Sequence, residues 1–261
     1  MHTYYQIPKL LSLSICFICL TQVMAQEQME PQMTPEMTEY WEPKVPVINP
    51  GNAAPDAVIT APSDAIVLFD GKDLSKWESV NGGAAKWTVE DGVFSVDKGS
   101  GDIQTIEEFN DFQLHVEWKI PKHISGKSQF RGNSGIFLQG RYEVQVLDNY
   151  NNRTYANGQA GSIYKQTPPL KNAMRAPGEW NVYDIIYTAP RFKEDKSLFS
   201  PARVTVIHNG VVIQNHTQIK GHTPYIGLPK YTYHEKGPIK LQDHGDPSEP
   251  ISYRNIWIRE L

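Results

Sequence analysis

The chain has 261 residues, a formal net charge of −4, 21% charged and 39% hydrophobic residues, and only two cysteines. Without a basic tract it does not suit nucleic acid, and about 200 residues of mixed composition suffice for one well-packed domain. Both cysteines, Cys16 and Cys19, lie close to the N-terminus.

Lys9 precedes the apolar run Leu10–Leu20, followed by Val23-Met24-Ala25. A positive start, an apolar stretch too short to span a bilayer and small residues at a cleavage point describe a signal peptide over residues 1–25. Its removal would export the protein to the periplasm or beyond the cell, with no membrane span in the mature form. The same cleavage would take both cysteines, leaving no disulfide, thiol nucleophile or cysteine metal ligand.

Residues 26–62 are rich in Pro, Glu, Gln and Met, a composition that buries little and reads as a linker or extended arm. Tyr40-Trp41 and Val45-Pro46-Val47-Ile48 are apolar enough to strap onto a folded domain. That domain is expected over residues 63–261. Its elements are strands: Ala65–Phe69; Trp87–Val89 and Val93–Val96 around the turn Asp91-Gly92; and Phe112–Ile120, which alternates apolar and polar for nine residues. Val182–Tyr187, Val204–His208 turned by Asn209-Gly210 into Val211–Ile213, Ile239–Gln242 and Ile256–Ile258 follow. No segment keeps helical spacing for three turns, so the fold class is all-β, a sandwich of two antiparallel sheets.

The most informative stretch is Gly132–Asp148, two strands joined by Gln139-Gly140-Arg141. Alternation puts Glu143, Gln145 and Leu147 on one face, and Tyr142, Val144, Val146 and Asp148 on the other. With Arg131 and Asn133 nearby, the first face offers an acid and amides suited to a sugar. A half-exposed strand with an ordinary polar face is the plainer alternative. Gln242-Asp243-His244-Gly245 supplies a further amide, a second acid and an imidazole. Asp243 could orient His244 if the backbone bends at Gly245, or could simply bond amides of a polar turn. His115 and Glu117 are expected on a solvated sheet face, His208 at the surface, and most of Trp77, Trp87, Trp118, Tyr164, Trp180 and Trp257 in the core.

Sandwich glycosidases of the laminarinase type carry two carboxylates on one strand, flanking the scissile bond. Here the places after Glu143 hold Gln145 and Leu147. Either Glu117 or Asp243 supplies a second carboxylate, or the bond breaks by another route.

Leu68–Trp77, Gly132–Asp148, Gly178-Glu179-Trp180-Asn181, His208-Asn209-Gly210, Gln242–Gly245 and Tyr253–Ile258 together resemble the 3-keto-disaccharide hydrolase domain family. The resemblance covers about Ala65 to Leu261. It implies a concanavalin A-like jelly roll, often exported, that cleaves glycosides already oxidised to a ketone at C3. Such a ketone acidifies the C2 proton. One base can then form an enediolate and expel the C1 substituent, with water addition completing net hydrolysis or its omission giving a lyase. Glu143 and His244 are the expected base and acid, in either order, with Asp243 behind His244. Arg131, Asn133, Gln145 and Gln242 are expected to position the ring. A divalent cation held by His and carboxylate is a further option that no ligand spacing demands. A carbohydrate-binding module without catalysis, and a hydrolase of unoxidised glycosides, are the rival classes.

Overall fold

The computed structural model describes residues 32–50 and 59–261. The expected signal peptide and both cysteines lie outside the described residues. Fifteen strands follow in order: β1 (Ile66–Phe69), β2 (Trp77–Ser79), β3 (Thr88–Glu90), β4 (Val93–Ser95), β5 (Ile103–Thr105), β6 (Phe112–Lys119), β7 (Asn133–Leu138), β8 (Tyr142–Leu147), β9 (Trp180–Thr188), β10 (Arg191–Phe192), β11 (Leu198–Ser200), β12 (Arg203–His208), β13 (Val211–Gln218), β14 (Lys240–Leu241) and β15 (Ser252–Glu260). Helix among the described residues is limited to short 3₁₀ turns at Pro35–Thr38, Ser128–Phe130 and Ala156–Gly158.

Thirteen of the strands form two antiparallel sheets, the sandwich expected from the sequence and the jelly roll implied by the resemblance, and β10 pairs with β11 as a separate two-stranded ribbon. The large sheet runs β13-β12-β9-β6-β15-β4-β3 with β1 also on β15, and the small sheet runs β2-β5-β14-β7-β8. Alternation builds the core between them. Phe112, Leu114, Val116 and Trp118 of β6 and Tyr183, Ile185 and Tyr187 of β9 face Ile136 and Leu138 of β7 and Tyr142, Val144 and Val146 of β8.

Three core tyrosines tie the layers together. Tyr183 donates to the Gln145 carbonyl at 3.0 Å, Tyr187 to Gln139 Oε1 at 2.8 Å, and Tyr253 to Ser134 Oγ at 2.8 Å. Each ring fills core volume while its hydroxyl finds a polar atom on the facing sheet, so no donor is stranded. All three bonds end at or beside β7 and β8, fixing the two strands that carry the site.

The turns behave as their residues require. Asp91-Gly92, Gln139-Gly140 and Asn209-Gly210 all have positive φ at both positions, the geometry of tight hairpins. β15 is longer than the expected Ile256–Ile258. Its pairing with β6 shifts register between Arg254 and Trp257, where Asn255 has φ +46°, and this bulge breaks the alternation that marks a strand. β2, β5, β10 and β11 escape sequence reading because two or three residues hold no periodicity.

Tyr40 and Ile48 lie against the domain. Tyr40 exchanges backbone contacts with Asn157 Oδ1 and Ala156, while Ile48 and Asn172 bridge at 3.0 Å. Trp41 packs edge-on to Tyr155 at 6.0 Å. These are the apolar segments the sequence singles out as a strap.

Candidate active site

The face of the small sheet turned away from the core bears the polar positions. β7 pairs with β8 so that Phe137 lies opposite Glu143 and Gly135 opposite Gln145. β14 pairs with β7 so that Lys240 lies opposite Phe137. Above this surface lies a cavity of about 260 Å³ lined by Asn133, Phe137, Glu143, Gln145, Tyr164, Thr223, Tyr225, Gln242 and His244. Glu143 and His244, 101 positions apart, thus border the same pocket.

Glu143 is 4% exposed, and its carboxyl receives no protein hydrogen bond from the described residues. Its backbone N–H is held by Thr223 Oγ1 at 3.1 Å, and its C=O accepts from the Tyr164 N–H at 3.1 Å. Burial pushes the carboxyl up to about 8, with nearby Lys240 opposing the rise and Asp102 adding to it. Lys240 is itself paired with Asp102 at 2.7 Å. Room for the acid comes from Gly135: a Cβ there would stand 2.5 Å from Glu143 Oε1 and 2.9 Å from the Phe137 ring. Gly135 is therefore needed for space rather than for backbone freedom.

His244 follows β14 at the pocket's other side, with its side chain 30% exposed. Asn133 Nδ2 lies 3.2 Å from its Nε2. The carboxylate behind the ring is Asp246, whose Oδ2 lies 3.6 Å from Nδ1. Burial alone would raise the Asp246 carboxyl. The nearby His244 ring and bonds from the Ser248 hydroxyl and N–H and from the Asn133 N–H outweigh it and hold the group down at about 2.

This corrects the expected role of Asp243. Its Oδ2 accepts the N–H groups of Gly99 at 2.7 Å and Gly101 at 3.1 Å, and its Oδ1 accepts Gly245 N–H at 3.2 Å. Asp243 ties loops together, and Gly245 at φ +69° turns the chain so that the acid two residues after His244 comes back beneath it. The signal for this was the run Asp246-Pro247-Ser248, an Asx-turn sequence that holds its own carboxylate in place.

Arg131 also lies elsewhere: its Nε pairs with Asp148 Oδ2 at 2.7 Å, and it does not line the cavity. The other expected positioning residues, Asn133, Gln145 and Gln242, do line it. Phe137, Thr223 and Tyr225 join them without having been singled out from the sequence. Thr223 and Tyr225 sit in a loop with no periodicity, whereas the register opposite Glu143 would have found Phe137. Of the candidate ring-stacking aromatics only Tyr164 borders the pocket; Trp77, Trp87 and Trp118 are core.

Neither candidate second carboxylate reaches the pocket. Glu117 is 1% exposed on the outer face of the large sheet, bonded to Arg254 Nε at 2.6 Å and Asn255 Nδ2 at 2.8 Å. Its neighbour His115, also buried, contacts Asp184 at 2.7 Å and stacks on Trp257. The expected solvated face is instead a closed network, because Trp257 and Arg254 of the adjacent β15 lie across it. His208 likewise is buried rather than superficial: it bonds Asn181 at 3.0 Å beside Trp118, and burial pushes its imidazole down to about 3. Among the described residues no group of three or more His, Cys, Asp and Glu is placed to hold a metal ion. A cation in this pocket would have to share Glu143 and His244 with amide oxygens. No helix of the described residues is long and apolar enough to cross a membrane.

Comparison with known proteins follows the same lines. The family model described as 3-keto-alpha-glucoside-1,2-lyase-like domain matches residues 64–259. A Bacteroides thetaiotaomicron protein named 3-keto-disaccharide hydrolase is 25% identical over 99% of this chain and 98% of its own length. A crystal structure from Parabacteroides distasonis, whose protein bears a provisional glycosyl hydrolase name, is 69% identical. It covers 87% of this chain and 97% of its own, with a TM-score of 0.78. A second P. distasonis structure with the same kind of name is 24% identical over 76% of this chain and 94% of its own, with a TM-score of 0.55, and shares the fold.

Proposed function

Because the chain belongs to the family of 3-keto-alpha-glucoside-1,2-lyase-like domains and is an enzyme of glycosidic bonds, we propose that it cleaves 3-keto-glycosides by elimination across C1 and C2. The observation that carries this reading is a pocket with one carboxylic acid, Glu143, and one imidazole, His244, and no second acid on its wall. A double-displacement or inverting hydrolase needs two carboxyl groups astride the bond. A 3-keto substrate needs only a base at C2 and an acid at the leaving oxygen.

The hydrogen bonds support an order for the two. Asn133 Nδ2 also donates to the Gln129 carbonyl at 2.8 Å, which fixes its amide nitrogen toward His244. Nε2 of His244 is then the acceptor and Nδ1–H faces Asp246. With substrate bound the Asn133 N–H gives up the single Nε2 lone pair of His244, Nε2 takes the C2 proton and the electrons move to the C3 oxygen. As they return, C1=C2 forms and the C1–O bond breaks. Glu143, protonated near neutrality by its burial, gives its proton to the departing oxygen. The product is an enone; adding water, OH to C1 and H to C2, yields the free 3-keto sugar and net hydrolysis.

We also propose that the protein is exported, on the strength of Lys9, the apolar run Leu10–Leu20 and the small residue Ala25; the N-terminal sequence of protein recovered from the periplasm or medium tests this. For catalysis, release of the aglycone from a 3-keto-glucoside is measured with wild type, Glu143→Gln and His244→Ala. Each variant should lose a factor of about 10² to 10⁴. Unchanged rates in both, or saturable sugar binding with no turnover, would return the protein to the binding-module class.

A further inference from the structure

Three of the pocket's amides share an odd feature. Asn133 Oδ1, Gln145 Oε1 and Gln242 Oε1 are buried and receive no hydrogen bond, though each residue lines the cavity. For two of them the orientation can be traced to one residue behind the wall. Gln129, on the 3₁₀ turn Ser128–Phe130, donates from Nε2 to the Gly158 carbonyl at 2.9 Å and to Thr154 Oγ1 at 2.8 Å. A carbonyl oxygen can only accept, so Gln129 Nε2 must point there and its Oε1 must point the other way. That oxygen accepts from Gln145 Nε2 at 3.0 Å. Gln145 is thereby forced to donate backward, leaving its own Oε1 without a partner. The main-chain carbonyl of Gln129 does the same to Asn133, accepting from Nδ2 at 2.8 Å. Forced polarity thus enters the pocket by two routes at Gln129: from Gly158 through its side chain to Gln145, and from its main-chain carbonyl to Asn133.

We infer that Gln129 is a positioning residue that turns the amide oxygens of Asn133 and Gln145 toward the ligand, so that this wall selects hydroxyl donors on the sugar and rejects a carbonyl or fluorine in the same place. The inference rests on the sugar reading above and sharpens it: the C3 ketone, which cannot donate, must sit away from Asn133 and Gln145, where hydroxyl groups are received. Buried acceptors left unpaired by the wrong ligand are the strongest discriminators a pocket can hold, and the penalty reaches factors well above ten.

The test uses the full chain and two readouts. In the sugar-free protein, hydrogen exchange of the Gln145 side-chain amide is followed by NMR in wild type and Gln129→Met. Exchange should be slow in wild type and at least about tenfold faster in Gln129→Met, which offers no acceptor. Equal protection in Gln129→Met and wild type overturns the inference whether or not a sugar binds. Second, affinities for methyl glucoside and its monodeoxyfluoro derivatives are compared. At one ring position at least, wild type should lose about tenfold or more on fluorine substitution, and Gln129→Met should shrink that ratio to about threefold or less. A flat fluorine profile in wild type overturns the hydroxyl selection. Absence of methyl glucoside binding with the exchange result intact overturns the hydroxyl selection but not the amide direction; the sugar reading falls only if a 3-keto-glucoside is neither bound nor cleaved.

Discussion

Two places in this molecule set a carboxylic acid near an imidazole, and they behave in opposite ways. On the outer face of the large sheet, Glu117 is bonded by Arg254 and Asn255, and His115 lies between Asp184 and Glu117. Burial would raise the Glu117 carboxyl, but these bonds reverse it and hold the group below its ordinary value. Burial would likewise lower His115, and the two carboxylates reverse that too, raising it. On the small sheet, Glu143 is also closed to solvent, lies deeper and has no partner for its carboxyl, so burial prevails and the group rises to about 8. Satisfaction together with depth separates a structural pair from a reactive one: the first has spent its hydrogen-bonding capacity on the fold, and the second keeps it for a ligand.

The largest effect that can break this comparison is on stability. Glu117→Gln leaves Arg254 and His115 facing a neutral amide in a closed site, and should cost about 3 kcal/mol or more in chemical denaturation. Turnover per folded molecule should stay as in wild type. A large loss of turnover with unchanged stability would mean the outer network belongs to the chemistry. Protonation tests the same pair: Glu117 contributes stability above its unfolded carboxyl value that is lost as pH falls, and His115 contributes stability below about 6.5 that is lost as pH rises through its raised folded value.

Glu143 should show the dependence opposite to that of Glu117. Its pKa is about 4.5 when unfolded and about 8 when folded, so the unfolded state loses its proton first as pH rises. Wild type should therefore lose more stability than Glu143→Gln between those two values, by a few kcal/mol in total, because the loss at His115 is common to both. Denaturant midpoints measured from pH 4 to 9 give the two curves, and parallel curves would remove the claim that this acid is unpartnered. Gly135→Ala comes next. Its methyl group would push on Glu143 Oε1 and the Phe137 ring, costing about 1–3 kcal/mol of stability by overpacking and about tenfold in rate through the displaced acid. A stable variant of full activity would show that Glu143 has freedom the packing denies.

How much of this was legible beforehand follows from which interactions are periodic. The sandwich, the hairpin turns and the face shared by Glu143 and Gln145 come from alternation and from Asp-Gly, Gln-Gly and Asn-Gly pairs, which are local properties. The meeting of Glu143 with His244 required pairing between β7 and β14, which no local pattern states; the family resemblance placed both residues in one site. The expectations for Arg131 and Asp243 fail for one reason: a charged residue next to a site in sequence is expected to serve it, Arg131 on the ring and Asp243 behind His244. In fact Asp148 takes Arg131, and the amides of Gly99 and Gly101 take Asp243. Gln129 carried no signal, because its importance lies in which atoms it has already satisfied.

The smallest expected effect is the most discriminating for the loop after β14. Asp243 and Asp246 flank His244 at one and two residues, and both carboxylates accept backbone amides. If proximity in sequence decided their roles, Asp243→Asn and Asp246→Asn would be equivalent. An asparagine at 243 still offers an oxygen to the Gly99 and Gly101 N–H groups but gives up the exposed 3.2 Å bond from the Gly245 N–H, so the loss is about 1–2 kcal/mol of stability and at most about a threefold change in rate. At 246 the amide could donate toward His244 Nδ1, which favours the other tautomer and moves the ring proton to Nε2, the atom that must accept from C2. The pH profile of the rate should then change shape for Asp246→Asn and remain as in wild type for Asp243→Asn. If the two variants gave superimposable profiles, the imidazole would not be oriented from behind by Asp246, and the order of base and acid drawn from that orientation would have to be reversed.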